Sequence, residues 1–417
     1  MTQWNPVWLV EIDGVEYTDA VLANLVIRSG RTNIYEQAQA GYVNLQLIDV
    51  NQTAIPVLIN STIGVSVKNT ANTFVPIFGG NVVDIGLEVR DVGSTMFTQT
   101  YSITALGALA RLPKVIFTDS LARDFDGDQI FEVLQSVLFA SWAQVPGSLT
   151  WATYDPATTW ANAGNTGLGE IDRPGNYDLS ARSGSQDPID VYSLVAALAT
   201  SGLGYLYEDA QGRIGYADST HRTNYLAANG YVDLDANHAR AAGLRIETRV
   251  GDVRNAITIK YGANSQNDVS DSDPASIATY GNLAQVITTT LHDAADATAQ
   301  AAFYLSLRAE PEPIFSEISF DLTNPEIDNA DRDNLISIFM GEAIALQNLP
   351  LNMNSGTFQG FVEGWSFRAS YNQLSVTLLL SPLAYSLQAM RWNDVPITET
   401  WSSVSPTLDW ANATIVA

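Results

Sequence analysis

The chain of 417 residues contains no cysteine. That single absence removes disulfide staples, thiolate zinc sites, iron–sulfur clusters and cysteine nucleophiles together. Histidine is almost missing: His221, His238 and His292 stand alone, with no HxH, HExxH or HxxxH spacing that would place two imidazoles on one face. A histidine metal site or a Ser-His-Asp triad has no sequence basis, so neither catalysis nor a cofactor is expected. Positive charge is scarce as well. Twenty Lys and Arg face 45 Asp and Glu, a formal charge of −25, which is the wrong sign for neutralising phosphates. Specific nucleic-acid binding is therefore not expected. An acidic wall still suits nucleic acid as passing cargo, because it keeps the phosphate backbone from sticking, and acidic charge also serves plain solubility. No run of about 18 apolar residues occurs, so no membrane anchor is expected. The N-terminus, Met1-Thr2-Gln3-Trp4-Asn5-Pro6, has neither the basic nor the apolar region of a signal peptide.

What is present is β-structure. The length suits two to four domains, and a hydrophobic share of 46% lets each bury a core. Residues 1–118 read as strands. Trp8–Ile12 and Val15–Tyr17 flank Asp13-Gly14, a two-residue turn whose twist matches a hairpin. Leu22–Arg28, Gly41–Asp49, Gly64–Lys68, Phe74–Glu88 and Thr98–Thr104 alternate apolar and polar residues, and the segment Tyr101–Leu112 passes from strand to a short helix. Residues 119–243 read as an inserted α+β module. It holds a helix at Gln129–Ser141, with Asp126 and Gln129 as a capping box, and a long loop or arm at 147–186. A helix at Ile189–Ser201 and a hairpin at Gly204–Ala217 complete it. Strand signatures return over 244–392: Leu244–Val250, Ala256–Tyr261, Val286–Leu291, Ile314–Leu322, Ala343–Leu346, Phe358–Tyr371 and Ser375–Leu380, with one helix at Ala294–Arg308. Residues 393–417 read as a C-terminal docking arm.

Several constellations invite chemistry. Asp124-Phe125-Asp126-Gly127-Asp128 has the carboxylates of a calcium loop, but Gln129 and Gln135 occupy the positions where an EF-hand needs Gly and Glu, which favours helix capping. Asp268, Asp271 and Asp273 read as a solvated loop between strands, and Gly164–Gly169 as loop without the order of a phosphate loop. Trp151 and Trp160 share their spacing, an intervening proline and a Trp-Ala-Asn-Ala ending with Trp401 and Trp410. These four tryptophans either stack on sugars or anchor an extended arm on a neighbour, and docking is the reading adopted for them. Trp8, Trp142 and Trp365 are assigned to cores.

The order of strands carries a family likeness. Ile27-Arg28-Ser29-Gly30-Arg31, Gln39–Asp49, Ile63–Val67 and Ile77–Ile85 resemble, in sequence order, the N-terminal domain of bacteriophage minor tail proteins of the baseplate-hub class. Asp252–Gly262, Ser276–Gly281, Gly360–Ser366 and Val376–Pro382 are similar to strands and turns of that family's second β-domain. The resemblance implies a mainly β fold in which two tube-like β-barrel domains flank the α+β module. It further implies a structural virion protein of the phage tail tip, assembled in the host cytoplasm. Such a protein is a homotrimer whose doubled domains adapt the sixfold tail tube to the threefold tip, close the tube and later form a conduit for DNA. Implied partners are distal tail and tail tube proteins, the tape measure protein, and tail fibre or receptor-binding proteins. No hydrolase or fibre domain follows the second β-domain, so wall digestion and receptor binding are expected of other proteins. The alternative reading is a carbohydrate- or receptor-binding virion protein using exposed tryptophans. A secreted acidic glycosidase is a third, against which the missing signal peptide counts.

Overall fold

The computed structural model describes residues 4–17, 21–49, 54–91, 97–140, 171–184, 187–240, 244–315 and 317–387. Within them the chain is mainly β, and its framework is one sheet of 12 strands. The N-terminal strands build most of it. Alternation decides their faces: Val43, Leu45 and Leu47 in the Tyr42–Asp49 strand and Ile63, Val65 and Val67 in the Thr62–Lys68 strand are buried, while the residues between them are half-buried. Burying each such side chain contributes roughly 1.5–3 kcal/mol, so a slip of one residue would lose that energy along a whole strand. The opening hairpin forms as its sequence predicts, with Asp13 at φ +50° and Gly14 at φ +78° turning Trp8–Ile12 into Val15–Tyr17.

Strand order runs from Val15–Tyr17 through Trp8–Ile12, Thr62–Lys68, Phe74–Asp91, Phe97–Leu106 and Tyr42–Asp49 to Val21–Gly30. There the sheet does not end. Val21–Gly30 pairs antiparallel with Phe358–Ser370, so strands from the two ends of the sequence share one surface. Phe358–Ser370 is flanked on its other edge by Gln373–Pro382, which in turn pairs with Ile318–Asp321. Ala343–Gln347 and then Val232–Asp235, a strand of the middle segment, extend the sheet beyond it. The strands thus form a continuous open sheet, and no closed barrel occurs among the described residues.

Helices and small ribbons cover this frame. The helix Ala294–Arg308 begins and ends where its sequence predicts, capped by Asp293, whose carboxylate accepts from the amides of Ala295 and Asp296. It lies on a three-stranded ribbon of Ala256–Tyr261, Asn267–Ser272 and Ala284–Thr288. Three expectations change here. Ile314–Leu322 breaks into Pro313–Phe315 and Ile318–Asp321, because the two halves serve different partner strands. The strand expected at Val286–Leu291 sits at Ala284–Thr288, in parallel register with Ala256–Lys260. Asp268 and Asp271 lie in a strand instead of a loop, and Asp273 caps the helix Pro274–Tyr280 by accepting from the amides of Ala275 and Ser276. Among the described residues no helix is long and apolar enough to cross a membrane.

Candidate functional site

The pairing of Val21–Gly30 with Phe358–Ser370 is a seam, and it is built around two facing glycines. Gly30 lies opposite Gly364 in the register. Gly30 takes φ +85°, and a Cβ on it would sit 2.4 Å from the carbonyl oxygen of Glu363. A Cβ on Gly364 would sit 2.6 Å from the carbonyl oxygen of Arg31 and 2.8 Å from that of Ser29. No real Cβ tolerates such distances, so each chain needs glycine for the other to approach. The Arg31 amide then donates to the Glu363 carbonyl at 2.8 Å.

Glu363 occupies a β-bulge between Val362 and Gly364. Before it, Phe358–Phe361 pairs with Ala343–Leu346; after it, Gly364–Ser370 pairs with Asn24–Gly30. The bulge is therefore where one strand changes partner, and it turns the Glu363 carboxylate into the interior. There Arg31 Nε donates to Oε2 at 2.6 Å, Arg222 Nη2 donates to Oε2 at 2.9 Å, and Ser381 Oγ donates to Oε1 at 2.5 Å. Arg222 comes from the helix His221–Asn229 of the middle segment and also donates from Nη1 to Ser386 Oγ at 2.6 Å. The Tyr205 ring lies under both guanidiniums, 5.1 Å from Arg31 Cζ and 4.9 Å from Arg222 Cζ. All three charged groups are buried. Burial alone would raise the Glu363 pKa, but the charges of Arg222 and Arg31 and the hydrogen bonds from Arg222 and Ser381 hold it down at about 2. One carboxylate thus joins the N-terminal strands, the middle segment and the C-terminal strands.

Two more carboxylates, half-buried Glu208 and buried Asp126, fasten the middle segment. Glu208 ends the strand Tyr205–Glu208 and accepts from the amides of Gly41, at 2.6 Å, and Leu109. Gly41 and Gly107 leave its space: a Cβ on either would meet the carboxylate within 2.9 Å. Burial pushes its pKa up to about 7. Asp126 accepts from the amides of Asn176 and Tyr177, at 2.8 and 2.7 Å, and from the Tyr216 hydroxyl at 2.5 Å. The capping box expected of Asp126 and Gln129 is not what forms. The helix starts at Asp126 itself, and Gln129 Nε2 donates to the carbonyls of Ala122 and Ser180, because both side chains are taken up by ties outside the helix.

The remaining candidates fall as follows. Trp151, Trp160, Trp401 and Trp410, with Trp142, lie outside the described residues. Trp365 is buried in the sheet, as expected of a core residue. His238, Asp328 and Asp331 bring ligand-type atoms within 4.8 Å of one another, a proximity that sequence spacing does not reveal. Their geometry is accounted for by hydrogen bonds: His238 Nδ1 to Asp331 Oδ2 at 2.6 Å, and the Asp331 amide to Asp328 Oδ1 at 2.8 Å.

Sequence comparison finds no matching protein family and no matching curated protein. Structural comparison does find likenesses. A tail protein from Neisseria meningitidis MC58 superposes with a TM-score of 0.56 at 10% identity, covering 92% of this chain and 98% of that one. The 43 kDa tail protein of prophage MuSo2 from Shewanella oneidensis gives a TM-score of 0.53 at 11% identity, covering 91% and 99%. The fold is that of these tail proteins. Within this tail-protein fold, the two sequence blocks that carry the family likeness at either end, Ile27–Arg31 and Gly360–Ser366, are the strands that meet at the seam. Their glycines, Arg31 and Glu363 are legible only once the strands are seen to be neighbours.

Elsewhere Glu342 is one of three carboxylates, with Glu247 and Asp252, that leave a buried oxygen without a hydrogen-bond partner among the described residues. Glu342 is 6% exposed, its Oε2 is unpaired, and it lines a cavity of about 530 Å3 with Tyr225, Phe339, Trp365 and Phe367. Burial pushes its pKa up to about 8. A carboxyl whose folded pKa lies above its unfolded value binds its proton more tightly when folded, so the stability it supplies is complete below the unfolded value and is lost as pH rises through the folded one. Global stability, followed by urea denaturation, is expected to fall as pH rises from about 4.5 to about 8. Glu342→Gln should flatten much of that slope. An unchanged slope in the variant would show that Glu342 is not its source.

Proposed function

We propose that this protein is a structural component of a phage tail, a trimeric tail-tip or baseplate hub in the virion, assembled in the host cytoplasm. Coextensive likeness to two tail proteins, over more than nine-tenths of this chain and of each of theirs, is the observation that carries the reading. The proposed division is two tube-like units, 1–118 and 244–392, around an α+β unit at 119–243, with a docking arm at 393–417. Three such chains would offer six tube-like units, which is how a threefold tip meets a sixfold tube. Distal tail, tube, tape measure and fibre proteins are the proposed partners, with Trp401 and Trp410 as docking residues. The formal charge of −25 suits a conduit through which DNA passes without adhering.

The sheet offers a surface for association. The strand Phe74–Asp91 pairs with Thr62–Lys68 only through Asn81, so from Val83 onward one of its edges has no strand beside it among the described residues. Val83, Leu87 and Val89 on this stretch are 41, 56 and 54% exposed. An open edge bearing apolar side chains is a template for pairing with another chain. Mass measurement in solution with negative-stain imaging tests the whole reading: a threefold ring is expected, alone or with tail partners, and a protein that stays monomeric with them would overturn it. Leu87→Lys is expected to weaken ring formation at least about tenfold while shifting monomer stability by no more than about 0.5 kcal/mol. Equal assembly of variant and wild type in sedimentation would remove this edge from the interface.

A further inference from the structure

A cavity of about 150 Å3 lies beside the seam. Arg31, Arg222 and Arg308 all line it. In a chain with only 20 basic residues, three guanidiniums around one small space is an unusual concentration. Glu363 answers two of them from behind, and Asp218, which also lines the cavity, is occupied by the amide and hydroxyl of Thr220, both at 2.8 Å. Arg308 is left over. It ends the helix Ala294–Arg308, is 3% exposed, and its Nε and Nη1 have no hydrogen-bond partner. Its guanidinium lies 4.0 Å from the centre of the Tyr385 ring and 5.2 Å from that of Tyr35. Ring faces satisfy part of the charge but none of the N–H groups. Arg222 Nε is unpaired as well.

A buried guanidinium with open donors is costly unless an anion meets it. We infer that this cavity is a binding site for a small oxyanion of phosphate or sulfate size, held by the guanidinium of Arg308 and by the excess positive charge of Arg31 and Arg222. Its volume corresponds to roughly five water molecules, enough for one such ion and its remaining hydration. The N–H groups of a guanidinium are charge-assisted donors suited to the oxygens of a tetrahedral anion. The bound ion would tie the loop after Gly30, the middle segment and the helix ending at Arg308 into one unit, so its effect is on the rigidity of the subunit and is independent of any tail partner.

The test is titration of the full chain with sodium phosphate at constant ionic strength in chloride, read by phosphorus NMR line broadening and by calorimetry. Saturable binding of one phosphate per chain, displaced by sulfate, is expected. Arg308→Gln should weaken it at least about tenfold, the size of a lost charge-assisted hydrogen bond. Arg123→Gln, at a side chain 54% exposed and remote in role, should leave it unchanged. Absence of saturable binding to the wild type in the millimolar range overturns the assignment, as does equal binding by a folded Arg308→Gln. If that variant does not fold, Arg308→Lys decides, since it keeps the charge and loses the planar set of guanidinium donors; undiminished phosphate affinity there overturns the site too.

Discussion

Glu363→Ala is expected to destabilise the protein by about 3–5 kcal/mol in urea denaturation, the range found when one partner of a buried ion pair is removed. The reason lies in what remains. Arg31 and Arg222 are buried, and each spends donors on this one carboxylate. Without it two cations share a low-dielectric space with only neutral groups, the Tyr205 and Phe361 rings, Ser386 and the Glu36 carbonyl, between them and full desolvation. Glu363→Gln keeps an acceptor and the shape, so its cost should be smaller. Arg222→Met in the Glu363→Ala background should recover part of the loss, because removing a stranded charge helps once its partner is gone. A Glu363→Ala protein within about 1 kcal/mol of wild type would mean that the cluster is solvated and carries little of the seam. Acid should tell the same story. Glu363 has a folded pKa lowered to about 2 from 4.5, so the stability it supplies is present above the unfolded value and is lost as pH falls toward 2. That is opposite in sign to Glu342, and together the two place the stability maximum on the mildly acidic side.

Local order was readable where local physics decides it. The Asp13-Gly14 hairpin and the helix Ala294–Arg308 follow from a turn pair and from an alanine-rich run, and both form as the sequence predicts. The alternating strands at 42–49 and 62–68 are equally plain, since a half-buried sheet writes its period into the chain. Reading weakened where distant partners choose among local options. Asp126 and Gln129 satisfy a capping box on paper, yet Asn176, Tyr177, Tyr216 and Ser180 claim their side chains. Ile314–Leu322 has the pattern of one strand and becomes two, because different neighbours pair with each half. The ion cluster is the extreme case. Arg31 and Glu363 are 332 positions apart, and nothing in either neighbourhood announces a buried pair. The clue available was indirect: two glycine-bearing strands, each resembling a tail-protein strand, at opposite ends of the sequence.

Those glycines set the other large effect. Gly364→Ala is expected to cost about 3 kcal/mol or more, because a single methyl group would have to push back two backbone carbonyls, those of Arg31 and Ser29, in an ordered sheet. Flexible side chains yield to a clash; paired backbone does not. The strain has one way out, which is to part Val21–Gly30 from Phe358–Ser370, and that separation also pulls Arg31 from Glu363. The signature is therefore local before it is global. Hydrogen exchange should show the amides of residues 24–30 and 364–370 losing protection while those of 42–49 and 99–106, paired to each other within the N-terminal strands, keep theirs. Gly86→Ala is the matched control. It lies in a strand of the same sheet, and its Cβ would meet nothing closer than 3.6 Å. If Gly364→Ala proves as mild as Gly86→Ala, the two ends of the sequence are not held by close backbone approach. If instead it opens the seam and leaves the N-terminal strands folded, the seam is the joint between two separately stable sheets. On the proposed reading as a hub, whose subunit must be rigid, the same substitution should then abolish ring formation at temperatures where the N-terminal strands remain intact.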